Sequence, residues 1–197
     1  MSSQPPPRRR ADAQRNYDRL LATAETALNA HGAAASLDDI AKSAGVGNAT
    51  LYRHFPTREK LIEAVYDQRI RALCAAADHL AATRQPGDAL VGWLRAAVTH
   101  INASRTLGDA FNAAYQGSRD AEPPQVTAWH RSVRQAVTPL LSAAQDAGRV
   151  RADLDSAELI ALVTAVARAG NPAQAGRFLE IMLEGIIPRA EQRRSDG

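Results

Sequence analysis

The stretch SLDDIAKSAGVGNATLYRHFPTREK, Ser36 to Lys60, constrains this chain more tightly than any other. It holds too many start and stop signals for one long element. Ser36 is placed to cap a helix, its hydroxyl accepting from the backbone N–H three residues on, with Asp39 reaching back as in a capping box. Leu37, Ile40, Ala41 and Ala44 then share one face. Gly45 falls where a left-handed backbone ends the helix, and Val46 fills the corner. Gly47 is a tolerable cap for a second helix, Asn48 to Phe55. Pro56 stops that helix by forcing the preceding residue out of the α region. Thr57 caps a third, with Glu59 in its first turn near the positive end of the dipole.

Two short helices joined by a Gly-containing turn form the helix-turn-helix pattern, whose second helix enters the DNA major groove with its N-terminal residues at base edges. Here those residues are Asn48, Ala49 and Thr50, then Tyr52 and Arg53, small or hydrogen-bonding as close approach requires. Leu51 and Phe55, four apart, pack inward. Tyr52, Arg53 and His54 reach a phosphate or a base, and Arg58 and Lys60 supply phosphate contacts.

These residues carry a resemblance. AGVGNATLYRHFPTREKLIEAV is similar to the signature of the TetR family of transcriptional regulators, and the run Leu51-Tyr52-Arg53-His54-Phe55 is its most specific part. The resemblance covers the N-terminal part of the chain. It implies that Thr50 hydrogen-bonds a phosphate and that Asp38 lies near DNA, where an acid would meet only a cytosine amino group. Many members have Ser or Thr where this chain has Gly47, so a side-chain cap and one phosphate contact are missing. With the cap Ser36, the DNA-facing set is Ser36, Asp38, Gly47, Asn48, Ala49, Thr50, Tyr52, Arg53, His54, Arg58 and Lys60.

Charge placement agrees. Up to residue 60 there are nine Lys/Arg against six Asp/Glu, and beyond it fifteen of each, so the whole excess of +3 lies with the helix-turn-helix. A positive face favours polyphosphate partners. Residues 1–10, MSSQPPPRRR, read as a disordered basic arm, either lying along DNA or a mere tail. They lack an apolar stretch, so no secretory signal is expected. No segment approaches the ~20 apolar residues of a membrane span, and a cytoplasmic protein with no membrane contact is predicted.

Apolar residues make up 45% of the chain, alanine is abundant and β-branched clusters are few, which predicts an all-α fold of about nine helices. The first runs from Ala11 to Ala30, with Tyr17, Leu20, Leu21, Ala24, Ala27 and Leu28 at helical spacing and Gly32 beyond its end. It completes a three-helix DNA-binding domain over residues 11–56. A connecting helix covers 57–82, and Pro86-Gly87 breaks the pattern. Five more helices follow at Asp88–Ser104, Thr106–Gln116, Pro124–Ala147, Ser156–Ala169 (capped by Ser156) and Ala173–Ile187. Residues 83–190 form a larger helical domain for effector binding and dimerisation, and 191–197 a flexible tail.

The last two helices are the most apolar. Phe178, Ile181, Met182, Gly185 and Ile186 give one broad face that must be buried against something. The resemblance implies a homodimer through residues 156–187, which places two recognition helices in successive major grooves of a roughly palindromic double-stranded operator, about 34–36 Å apart or a multiple of that. It also implies a small-molecule effector site in the second domain. Candidate linings are Trp93, His100, Phe111, Tyr115, Trp129 and Arg168, although Trp93, Phe111 and Trp129 are equally suited to the core. Arg168, in an apolar helix, pairs with Glu180 or Glu184 across the dimer, binds an anion, or snorkels outward.

No phosphate-binding glycine loop, no nucleophile elbow and no metal-binding histidine pair is present in the five histidines, so neither an enzyme nor a cofactor is expected. The lone Cys74 reads as a small apolar filler or, alternatively, a redox sensor. The predicted function is a ligand-responsive repressor. The rivals are an effector-independent DNA-binding protein and a small-molecule-binding protein with a vestigial DNA head.

Overall fold

A computed structural model describes residues 7–103 and 124–187. Among the described residues there are eight α-helices and no strand. They are α1 (Pro7–His31), α2 (Leu37–Ser43), α3 (Asn48–His54), α4 (Arg58–Thr83), α5 (Pro86–Ala103), α6 (Pro124–Asp146), α7 (Ser156–Arg168) and α8 (Pro172–Ile186), with a 3-10 turn at Gly32–Ala34. The predicted helix Thr106–Gln116, the tail 191–197 and the first six residues of the arm lie outside the described residues.

Several helix starts differ from those predicted, and proline is the common reason. α1 begins at Pro7, so the last four residues of the predicted disordered arm are helical. α5 begins at Pro86, although Pro86-Gly87 reads as a break, and α8 begins at Pro172 rather than Ala173. In a first turn the missing proline N–H has no partner to lose and φ is already helical. α7 is capped by Asp155, not Ser156. Its carboxylate accepts from the N–H groups of Ala157 (2.7 Å) and Glu158 (2.8 Å), and the Glu158 carboxylate in turn accepts from the Asp155 N–H (3.0 Å). Asn171 and Gln174 close the same box at α8.

The chain divides into two compact units inside α4, between residues 68 and 69. In the first, α1 packs on α2, and α2 on α3. Leu20, Ala24 and Leu28 of α1 are sealed with Ile40, Ala41, Leu51, Leu61 and Ile62. The corner between α2 and α3 is a Schellman turn. Val46 N–H bonds Ala41 O (3.0 Å), Gly45 N–H bonds Lys42 O (3.1 Å), and Gly45 sits at φ +67°. α3 ends at His54, one residue before the predicted end, because Pro56 keeps Phe55 out of the helical region (φ −131°, ψ 86°).

In the second unit α5 is the hub, packing on α6, α7 and α8. Leu90, Trp93, Leu94 and Ala97 of α5 interleave with Leu140 and Leu141 of α6, Leu159 and Val163 of α7, and Leu179 and Leu183 of α8. The Trp93 indole N–H donates to Leu73 O at 3.1 Å, so the largest core side chain leaves no donor stranded. Arg95 of α5 forks onto Glu180 of α8 at 3.1–3.3 Å, with both side chains more than half exposed. Such a pair contributes up to about 1 kcal/mol.

The broad apolar face predicted on the last helix is two faces. Ala175, Leu179, Leu183 and Ile186 point into the core at helical spacing, while Phe178 and Ile181 point outward. Met182 lies partly buried against the core.

Candidate nucleic-acid interface

The Ser36 hydroxyl accepts the Asp39 N–H at 3.2 Å, as its position requires. The reciprocal half of the expected capping box is not made: an aspartate is one methylene shorter than the glutamate that normally closes it. Gly47 caps α3 through its backbone alone, its carbonyl accepting from Thr50 (2.8 Å) and Leu51 (3.2 Å).

α3 buries Leu51 completely and, just past its end, Phe55. That inward anchor decides what faces out. Asn48, Ala49, Tyr52 and Arg53 are exposed and Thr50 is half-buried. Tyr52, at 45% exposed, is a large aromatic displayed to solvent on a helix of seven residues.

Asn48 is not a free surface amide. Its Nδ2 donates to Asp38 Oδ1 at 2.8 Å, joining the first residue of α3 to the first turn of α2. Two of the residues expected at phosphates, His54 and Lys60, are likewise engaged, and a third, Arg58, is partly enclosed. His54 is half-buried against Tyr17 and Phe55, with ring centroids 5.7 and 6.2 Å away. Lys60 Nζ lies 2.7 Å from Glu63 Oε2. Arg58 is half-buried, its Nη1 enclosed and without a hydrogen bond among the described residues. Glu59, beside them, has its carboxyl held below the usual range by the Thr57 hydroxyl, by its own backbone N–H and by the charge of Arg58. Tyr17 reads from sequence only as a core position on α1, because a helical apolar spacing says nothing about which ring it will meet.

The second unit distributes the effector candidates differently. Trp93 is core, Trp129 is 3% exposed, and Arg168 is exposed. Phe111 and Tyr115 lie outside the described residues. Glu180, one of the two expected partners of Arg168, is taken within the chain by Arg95. His100 is half-buried, its pKa pushed down to about 4 by burial and then by the charge of Arg69. Arg69, itself buried, donates from Nη1 to Ala103 O at 3.3 Å. A surface hollow of about 300 Å³ is lined by Gln85, Pro86, Gly87, Asp88, Ala147 and Arg149, none of them an effector candidate. Cys74 is half-buried and its thiol is pushed up by burial and by Asp78, away from a reactive thiolate.

Among the described residues no three His, Cys, Asp or Glu side chains are grouped to hold a metal. No helix there is long and apolar enough to cross a membrane.

Comparison with known proteins places this geometry. Residues 20–65 match the family model of the bacterial regulatory proteins of the tetR family, and residues 85–188 that of the SbtR-like transcriptional regulator C-terminal domain. A TetR transcriptional regulator from Streptomyces coelicolor is 36% identical, with a TM-score of 0.74 over 88% of this chain and 99% of that one. A TetR regulatory protein from Mycobacterium vanbaalenii is 33% identical, with a TM-score of 0.72 over 91% of this chain and 99% of its own. An HTH-type transcriptional regulator of Staphylococcus aureus is 37% identical over 65 residues, so this chain spans only 34% of that relative. The chain belongs to the TetR family of DNA-binding transcriptional regulators, and not to an enzyme family.

Proposed function

We propose that this protein is a cytoplasmic, homodimeric repressor that binds a roughly palindromic operator through α3 and is released by a small-molecule effector held in the second unit. The observation that carries the reading is the division of α3. Leu51 anchors it, and Asn48, Ala49, Tyr52 and Arg53 are left displayed at its N-terminal and outward positions. A seven-residue helix showing an aromatic, an arginine and an amide on one exposed side has the chemistry of base and phosphate recognition. The phosphate contacts fall to Thr50, Tyr52 and Arg53, with Lys60 able to exchange Glu63 for a phosphate.

Dimerisation is supported by Leu162, Phe178, Ile181 and Ile187, large apolar side chains exposed on or just after α7 and α8. Exposed apolar groups of this size on and beside two packed helices are surface that a second copy would cover. Effector release requires a ligand that favours the conformer whose recognition helices no longer match the groove spacing. A coupling of about 1–3 kcal/mol changes operator affinity some 5–150-fold.

Fluorescence anisotropy with duplex DNA from upstream of the protein's own gene, at two salt concentrations and with unrelated competitor DNA, tests the reading. Binding that survives competitor establishes operator recognition. Binding that collapses to a purely salt-dependent term removes it for that DNA.

A further inference from the structure

We propose that Asp38 is the positioning residue for base reading by Asn48, and that together they select adenine at one position of each operator half-site. The inference rests on the DNA-binding reading above and makes it specific.

Asn48 opens α3 and Asp38 lies in the first turn of α2, ten residues earlier, on the other side of the Gly45 turn. Both are exposed, and the Asn48 Nδ2 donates to Asp38 Oδ1 at 2.8 Å. An exposed asparagine amide has two faces of similar shape and opposite hydrogen-bonding character. Turned over, it would present its oxygen to a carboxylate that has no proton to give. Asp38 therefore decides which way the amide points.

Counting donors and acceptors then leaves one recognition pattern. The amide carries two N–H hydrogens and one oxygen. Asp38 takes one hydrogen. Adenine reading requires that Asp38 take the hydrogen trans to the amide oxygen; the oxygen and the other N–H then lie side by side, and in the major groove that pair matches the N6 donor and N7 acceptor of adenine. Guanine offers two acceptors on its major-groove edge and cytosine a donor, so neither is met at both points. Gly47 has no side chain and Ala49 only a methyl, so Asn48 carries the one hydrogen-bonding side chain among Gly47, Asn48 and Ala49. Asp38 is at the same time occupied with an amide instead of facing DNA as a bare carboxylate.

Selection of binding sites by the full-length protein from duplexes with a randomised centre tests this. Wild type is expected to enrich a two-fold site with an adenine in each half that depends on Asn48. Asn48→Ala and Asp38→Ala should each lose the preference at that position alone. Direct competition between the adenine duplex and the same duplex with that base pair changed should give a ratio on the order of tenfold or more for wild type, falling toward one for both variants. Asp38→Asn can donate as well as accept, so it no longer fixes which way the Asn48 amide points and should lose much of the preference.

The proposal is overturned if Asp38→Ala keeps the full preference, or if the position sensitive to Asn48→Ala prefers another base. It is also overturned if Asp38→Asn keeps the full preference, which would mean that an acceptor-only partner is not what orients the amide. Failure of wild type to enrich any site would instead remove the DNA-binding reading beneath it.

Discussion

The ring of Tyr17, on α1, meets the imidazole of His54, the last residue of α3, edge to face, with centroids 5.7 Å apart and an interplanar angle of 67°. The same tyrosine ring lies 5.3 Å from Phe55. One residue of the first helix thus holds the end of α3, the helix proposed to read DNA. Aromatic pairs of this geometry contribute about 0.5–1.5 kcal/mol beyond area burial. Tyr17→Ala should destabilise the protein by about 1–3 kcal/mol and weaken DNA binding while every residue of the DNA-facing set is kept. Thermal unfolding followed by circular dichroism checks it, and an unchanged melting temperature would remove the role given to this contact.

Tyr52 is displayed and makes no core contact of the kind Leu51 makes. Tyr52→Ala should weaken operator binding by about 1–3 kcal/mol while leaving melting temperature and oligomeric mass as in wild type. Equal affinity of variant and wild type in an anisotropy titration would withdraw its assignment.

Gly45 has room for a side chain, since a Cβ there would meet nothing within 4 Å, yet its φ is +67°. The cost of Gly45→Ala is therefore backbone strain alone, about 1–2 kcal/mol. Denaturant unfolding should show a lower midpoint with an unchanged slope. A midpoint equal to wild type would mean that the turn can relax to a negative φ.

Phe178 and Ile181 face away from the core of their own chain, and Ile181 is 53% exposed. The double substitution Phe178→Asp, Ile181→Asp should leave the helical content intact and convert a dimer to a single chain, read by light scattering behind a sizing column. A variant that remains dimeric would move the interface elsewhere. A wild type already monomeric would remove the dimer.

His100 sets a pH dependence. Its folded pKa, about 4, lies below the ordinary value of 6.5 because burial and Arg69 disfavour the imidazolium. Above pH 6.5 both folded and unfolded chains hold it neutral and no penalty exists. As pH falls from 6.5 to about 4 the unfolded chain takes up the proton and the folded one does not, so stability drops by about 2–3 kcal/mol over that window. His100→Gln should flatten this part of the stability-pH curve relative to wild type. Parallel curves for the two proteins would show that His100 titrates normally in the fold.

Much of this architecture is encoded locally. Ser36, Gly45, Gly47, Pro56 and Thr57 act within a turn of themselves, through caps, a positive φ and a steric exclusion, so α2, the turn and α3 are readable without knowing what they pack against. Leu51 and Phe55 can be assigned inward for the same reason: helical spacing needs only one apolar face. Proline is the ambiguous letter. Pro86 and Pro172 are each fit either to terminate the helix before them or to open the helix after them, and the observed backbone shows that they open α5 and α8. Asp155 and Ser156 are both fit to cap, and the Glu158 three residues after Asp155 settles which one does.

The sequence by itself determined the order of helices, their apolar stripes and the exposed surface of α3, because each depends on interactions spanning a few residues. Tertiary structure decided the rest. It tied Asn48 to Asp38 and Tyr17 to His54, sent Glu180 to Arg95 instead of Arg168, and made Trp93 core by giving its indole N–H the Leu73 carbonyl. It also split α8 into an inward and an outward apolar face. Each of these outcomes joins two helices or compares their sides, and a pairing between elements is fixed by how they pack, which no local spacing encodes.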